Sequence, residues 1–569
     1  MSRAQACRCA ALATALGTAL ISITILRTSL TDDEPYCYDY GRRIVFEGRF
    51  DRRVAIDDSK LPVLALNALP ERIGTALGFD RSAVDPLLHR LPLTAREREY
   101  IHTNLPIYAG RTVTIGCYLI VCLLVFCWGM EVYGPAGALG ATVLIAFLPT
   151  LIGHAGLVTT DAAATCTIFA AVYALTRCYW DPTIERALVA GVACGVALLV
   201  KYSAIDLAPI AALLIVARTV AVEPMESRRR AAQASVTSSA IVVVAAIVTI
   251  SVGFGLQHPI TRLSDLSCES RSLLQLRQWV GTVPLPLPRE FLTGLDRVLL
   301  HDQGRSGGGL VYLLGTLTAH GRPSYYLVAT LLKTPVPFLA LVLIRPWRRH
   351  RRYSDWAWLI AVAVFAAHMS FSLQSQVGLR YLLPAFPFLA MLAGAAWDHG
   401  RTRRWRQLAT VLAGLCVIDA TANCPRYLSY FNQLIGTRQN AYRYLADSNL
   451  DWDQGRFALW RWEAQQTRPY VLEPKYVPRA GLVAVRATEF VGVFDPETYR
   501  WLRDAVENGQ ARLVMAVGDA FLVFDVASSV ETGNSSPGER GSSSRRTNLL
   551  GGLGGTDQSC RHSQTKERA

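Results

Sequence analysis

Long apolar stretches separated by short polar segments dominate the first three quarters of the chain. They lie near 9 to 26, 112 to 129, 136 to 152, 157 to 176, 187 to 200, 203 to 221, 237 to 256, 326 to 344, 356 to 372, 381 to 397 and 407 to 423. Roughly 20 consecutive apolar residues cross a hydrocarbon core of ~30 Å, so each reads as a spanning helix, the fifth being the shortest. The pattern predicts an all-α polytopic membrane protein with about 11 transmembrane helices. The first stretch also resembles a cleavable signal peptide, because Arg3 and Arg8 precede an Ala-rich run; the sidedness below favours its retention.

The polar segments carry an orientation. With the N-terminus inside, Arg228-Arg229-Arg230, the group Arg345, Arg348, Arg349, Arg351 and Arg352, and the group Arg401, Arg403, Arg404 and Arg406 all fall in the cytoplasm. The same count puts outside a long first loop (27–111), a second large loop (257–325), a short loop ending at Arg380, and everything after 424. Pro62, Pro70, Pro86 and Pro92 punctuate amphipathic pieces of the first loop, which suggests interfacial helices packed on the bundle. Residues 1–423 thus read as one transmembrane unit and 424–526 as an extracytoplasmic C-terminal region. In the latter, Leu482-Val483-Ala484-Val485 and Phe521-Leu522-Val523-Phe524 predict strands of a small α/β appendage. Residues 527–569, rich in Ser, Gly and Arg, read as a disordered tail.

Composition agrees with lipid as the solvent: 51% of residues are hydrophobic and 18% charged. The net charge of +14 is spread over topology-setting loops rather than gathered in a patch, which argues against nucleic acid as a partner. The 13 cysteines show neither a Cys-x-x-Cys pair nor zinc-ligand spacing.

Candidate chemistry collects on the outer side. Thr31-Asp32-Asp33-Glu34-Pro35 sets three carboxylates at the end of the first span; adjacent, partly desolvated carboxylates suit a general base, and equally an acidic helix cap. Lysine is scarce, yet Lys60, Lys201 and Lys333 each sit beside an apolar segment, where a cation is costly unless it snorkels, pairs or functions. Such cations could neutralise a lipid phosphate leaving group. Arg380 lies outside, away from the cytoplasmic basic runs; His154 and Asp161 enter the fourth span from the same face, where a structural pairing is as good a reading as a substrate contact. Beyond the last span, Tyr430-Phe431-Asn432 and Asp447-Ser448-Asn449-Leu450-Asp451-Trp452-Asp453-Gln454 mix acids, amides and an aromatic ring, which suits a saccharide or an Asn/Asp-rich turn.

Taken together, Asp33-Glu34-Pro35 with Gly41 and Gly48, Thr160-Asp161, Lys201-Tyr202-Ser203, Tyr325-Tyr326 before Lys333-Thr334-Pro335, Arg380-Tyr381-Leu382-Leu383-Pro384 and Asp447-Ser448-Asn449-Leu450-Asp451-Trp452 resemble bacterial glycosyltransferase family 39. This is the phospholipid-carrier-dependent group related to protein O-mannosyltransferases and to the aminoarabinose transferase acting on lipid A. The resemblance runs from about 30 to 455 and implies a GT-C-like fold. It also implies transfer of a sugar from a polyprenyl-phosphate carrier, with inversion, to a protein, lipid or glycan acceptor on the extracytoplasmic face of the cell membrane. Asp33 would be the base, with Glu34 beside it; Lys60, His154, Asp161, Lys201, Lys333, Arg380, Tyr381, Asp447, Asn449 and Asp451 would contact substrate. No cofactor beyond the lipid-linked donor is required; nothing resembles a metal-ligand set, and a divalent metal stays open.

Three departures stand out. Tyr36, Cys37 and Tyr38 follow where the family often has His; Lys60-Leu61-Pro62-Val63 keeps only part of a Pro-Pro signature; and Asp453 replaces the Gly of Asp-Trp-Gly-Gln, which predicts loss of a glycine-only backbone conformation. A multi-pass transporter or lipid flippase, and an inactive membrane scaffold, are the rival readings; the transporter is disfavoured by the lack of internal two-fold symmetry.

Overall fold

The computed structural model describes residues 1–49, 62–221, 225–303, 309–344, 353–398, 402–528 and 530. Lys60, Arg345, Arg348, Arg349, Arg351, Arg352, Arg401 and the tail from 531 lie outside the described residues. Among those described, seven helices are long and apolar enough to cross a membrane, or nine if two bent pairs each count as one span. Helices Ile184–Val200 and Arg403–Ala422, the fifth and eleventh apolar stretches, complete the bundle: the first packs between Asp161–Trp180 and Met225–Gly253, the second against Val336–Leu343.

The bends mark two spans that differ from straight crossings. Pro135–Ala146 meets Pro149–Ala155 at 62°, and Tyr325–Lys333 meets Val336–Leu343 at 117°. In both, the residue before a proline is extended, Leu148 (φ −75°, ψ 114°) and Thr334 (φ −116°, ψ 138°), because the proline ring clashes with a helical predecessor. The second bend places Lys333 at a corner, as the last residue of its helix, rather than in mid-span.

The first helix, Arg3–Arg27, opens with a capping box, Ser2 and Gln5 each accepting from the other's backbone N–H. A short turn leads to Glu34–Glu47, which has proline in its first turn and ends at Gly48 in the left-handed region (φ 65°). Helix Val63–Ala76 doubles back on it so closely that a Cβ on Gly41 would stand 1.9 Å from the Leu64 carbonyl oxygen, so this crossing needs glycine. With Asp85–Arg90 and Ala95–Thr103, these are short helices of the first loop. The second span starts at Leu105 rather than 112, which carries Arg111 inside the bundle.

The C-terminal region holds a four-stranded sheet. Tyr470–Leu472 runs parallel to Gly481–Arg486, which pairs antiparallel with Phe521–Val526, itself antiparallel to Ala511–Val517. Both strands read from the sequence are present, and Val483, Val485, Leu522 and Phe524 belong to the main apolar core.

Candidate active site

A cluster of charged side chains forms where the turn before the first-loop helices meets the bundle and the loop after the last span. Helix Arg403–Ala422 starts at Arg403, Arg404 and Arg406 and ends at the loop bearing residues 423–454; its 20 residues put those arginines about 30 Å from the start of that loop. Four elements deliver the charged groups. Asp33 precedes helix Glu34–Glu47, Asp161 opens helix Asp161–Trp180, Lys201 follows helix Ile184–Val200, and Arg380 lies in the turn Leu379–Ala385.

The Asp33 carboxylate accepts no capping hydrogen bond from its own helix. It faces Arg380 instead, 3.2 Å from Nη1. Arg380 Nη1 also stands 3.8 Å from Asp161, whose other oxygen accepts from Lys201 Nζ at 2.7 Å. His154 Nδ1 is 3.5 Å from Asp161, beyond a good hydrogen bond. Two carboxylates, a guanidinium and an ammonium therefore form one connected system, and buried charges persist only when paired in this way. Rings flank it: the Arg380 guanidinium lies 4.0 Å from the Trp452 ring centroid, and the Lys201 amine 4.6 Å from that of Tyr381. Arg380 Nε is buried and has no hydrogen-bond partner among the described residues. An unused guanidinium donor beside a partly exposed carboxylate suits an anionic ligand.

Glu34 sits differently from its neighbour. Its side chain is fully buried, and Arg111 Nε and Nη2 hold its two oxygens at 2.7 Å each. The Thr31 and Val158 backbone N–H groups also donate to it, at 2.8 and 3.0 Å. With its acceptor sites filled, Glu34 fixes the turn that presents Asp33. Arg111 lies just before the apolar stretch 112 to 129, whereas the helix itself begins seven residues earlier, at Leu105; an arginine beside an apolar stretch is the available signal in the sequence.

Lys333 is buried, and its amine donates to the carbonyl oxygens of Leu428 (2.9 Å) and Asn449, 4.8 Å from the Phe431 ring centroid. Asn449 is likewise engaged: its Oδ1 accepts from the Leu379 N–H at 3.0 Å, and its amide donates to the Tyr325 hydroxyl at 2.8 Å. These two residues lock the loop after the last span behind Arg380. Asp451 is buried under Arg486, 3.2 Å away. Asp447 occupies a left-handed backbone (φ 56°) and accepts from the Ser448 N–H; burial, opposed by Arg380, pushes its carboxyl up to about 6.

The expectation for Asp453 is corrected. The position keeps the left-handed conformation that glycine favours (φ 68°), because Asp tolerates that region better than most residues and its carboxylate is held by Arg456. The structure also brings in Arg486, some 450 residues along the chain from Asp32, for which the sequence offered no local signal.

Seven to nine helices long and apolar enough to cross a membrane among the described residues, with a cluster of paired charges where the first loop meets the C-terminal loop, define a multi-pass membrane protein. Residues 101–252 match the family described as dolichyl-phosphate-mannose-protein mannosyltransferase, so the similarity to glycosyltransferase family 39 has a match of its own across the second to seventh apolar stretches. Comparison with curated proteins gives no match. Among solved structures, the chain is similar to ArnT from Cupriavidus metallidurans bound to undecaprenyl phosphate: 12% identity, TM-score 0.42, covering 91% of this chain and 98% of that one. It is also similar to Archaeoglobus fulgidus oligosaccharyltransferase tethered with an acceptor peptide: 13% identity, TM-score 0.43, covering 74% of this chain and 54% of that one.

Proposed function

We propose that this protein transfers a sugar from a polyprenyl-phosphate carrier to an acceptor on the extracytoplasmic face of the cell membrane, inverting the anomeric carbon. The observation that carries the reading is the contact between Asp33 and Arg380, a carboxylate and a guanidinium brought together from positions 347 residues apart in the chain. The family match over 101–252, which contains His154, Asp161 and Lys201, supports the same chemistry.

In this mechanism the donor phosphate takes up Arg380, including its unused Nε, with Lys201 beside it. Arg380 then leaves Asp33, which is freed to remove the proton from an acceptor hydroxyl or amine. The acceptor attacks the anomeric carbon, the carbon–oxygen bond to phosphate breaks, and the electron pair departs with the lipid phosphate against the two cations. Asp161 holds Lys201 and Arg380 in place; Tyr381 and Trp452 wall the pocket. Glu34 and Arg111 orient Asp33, and Lys333 and Asn449 act as supports behind the site rather than as donor contacts.

Asp33→Asn is expected to lower transfer by roughly 10² to 10⁴, the usual contribution of a general base, with membrane insertion unchanged. The assay is membrane vesicles supplied with radiolabelled polyprenyl-phosphate sugar and cell-envelope acceptors. A fully active variant removes the assigned base, and translocation of the lipid without transfer favours a flippase. Arg380→Ala should weaken donor binding more than it slows the bound complex; unchanged donor affinity would refute that role.

A further inference from the structure

We propose that Arg486, carried to the pocket by the C-terminal sheet, is a positioning residue for this transfer, tying together the two loops that present Asp33 and Trp452. The inference rests on the transferase reading above.

Arg486 is the last residue of strand Gly481–Arg486. Its Nη2 donates to Asp32 at 3.0 Å, and its Nε and Nη2 reach Asp451 at 3.2 and 3.3 Å. Asp32 precedes Asp33, and Asp451 precedes Trp452, so one guanidinium grips the neighbour of the base and the neighbour of the ring under Arg380. The two loops also meet directly. The Asp32 N–H donates to the Trp452 carbonyl at 3.1 Å, and the Ser29 hydroxyl donates to the Asp453 carbonyl at 2.7 Å. Arg380 closes the circuit from Trp452 back to Asp33. A planar fork that bridges two carboxylates fixes direction as well as distance, which a point charge cannot do.

The sheet has other anchors. Arg438 meets Asp519 at 2.9 Å in the turn before its last strand, while Arg96 meets Glu463 at 3.1 Å and Arg461 meets Glu97 at 2.7 Å on the helix that leads into it. Its docking therefore does not depend on Arg486 alone, and loss of this side chain should disturb the pocket without releasing the sheet.

The surroundings of Arg486 make its removal visible in the pH profile. Asp32 faces it from the first outer turn, Asp451 and Asp453 from the loop after the last span, and Glu473 and Tyr499 from within the C-terminal region; Arg456 lies on Asp453. Without the guanidinium, acids remain unscreened next to Asp33 and Asp447, and each favours protonation of the others.

The test uses full-length protein in nanodiscs with a polyprenyl-phosphate sugar as donor. Arg486→Ala should reduce kcat by about tenfold or more with donor KM nearly unchanged, the pattern of a misaligned rather than an empty site, and move the acid limb of the rate toward higher pH. Arg486→Lys should restore the acid limb but only part of kcat, since it keeps the charge and loses the fork. Should Arg486→Ala fail to fold, Asp32→Asn, which cuts one arm from the exposed side, should lower kcat in the same direction and by less. Wild-type rate and pH profile in Arg486→Ala, or in Asp32→Asn where that stands in, overturn the proposal while leaving the transferase reading intact. An acid limb that stays in place while kcat falls also overturns it, because that is the result of loosened folding alone. Wild-type protein that transfers nothing overturns both.

Discussion

Two helix breaks in this protein each end an apolar helix on a lysine, and the two lysines meet opposite fates. At the break after Ile184–Val200, Lys201 is extended (φ −157°, ψ 133°) and pairs at 2.7 Å with Asp161, the carboxylate that Arg380 also approaches. At the break before Val336–Leu343, Lys333 donates to two main-chain carbonyls and lies over an aromatic ring. The sequence context is nearly the same. What differs is the element opposite, a carboxylate shared among several cations in one case and bare carbonyls of a returning loop in the other. A charge that meets an exchangeable counter-charge is placed to bind or react, whereas one that meets only backbone is placed to hold the fold.

The hardest blow to this contrast is struck at the shared carboxylate. Asp161→Ala leaves Lys201 and Arg380 with one carboxylate fewer at the first break, and removing one member of a buried charge system costs about 3–5 kcal/mol. A large fall in thermal stability, together with loss of transfer, is expected in detergent-purified protein. Stability within the error of wild type would mean that the charges there are hydrated and not mutually dependent.

Next come the two lysines. Lys333→Met leaves two buried carbonyls unpaired, at about 1–3 kcal/mol each, so the melting temperature should drop while turnover per folded molecule stays within about threefold of wild type. Lys201→Met should reverse the order, with donor affinity falling by tenfold or more, since a charge-assisted contact to phosphate is lost. Donor titration and thermal melts on both variants check this; equal loss of donor binding would return Lys333 to the list of phosphate ligands.

These contrasts also explain how much was legible in the sequence. Each of the eleven apolar stretches finds a helix or a bent helix pair, because hydrocarbon leaves the backbone few alternatives and the signal is local. Asp33, Asp161, Lys201 and Arg380 stood out for a related reason: polar groups within or beside apolar stretches are costly and therefore conspicuous. Thr334-Pro335 is the local signal for the 117° corner, and the continuous apolar run around it masks that signal. The roles of Lys333 and Asn449 depend on which loop returns to cover them, and that of Arg486 on a strand more than 400 residues from its partner Asp32. Such pairings are set by tertiary packing and leave no trace in spacing or composition.

The smallest expected effect tests the contrast with a carboxylate in place of a lysine. Asp453 sits in the left-handed region where the resembling family has Gly, its charge partly answered by the half-exposed Arg456. Burial pushes its carboxyl up to about 6, with Arg486 and Arg456 opposing the rise. A carboxyl raised in the folded state binds its proton more tightly there than in the unfolded chain. Its stabilising contribution is therefore complete below about pH 4 and is lost as the pH rises through about 6. Asp453→Asn cannot ionise, so its melting temperature should gain on that of wild type between pH 4 and 7, by the equivalent of roughly 3 kcal/mol. Asp453→Gly should follow the same pH trend and add the relief of left-handed strain. If wild type and Asp453→Asn keep a constant offset across that range, Asp453 is fully compensated by its arginines, and it belongs with Asp161 among the paired charges rather than with the strained supports of the site.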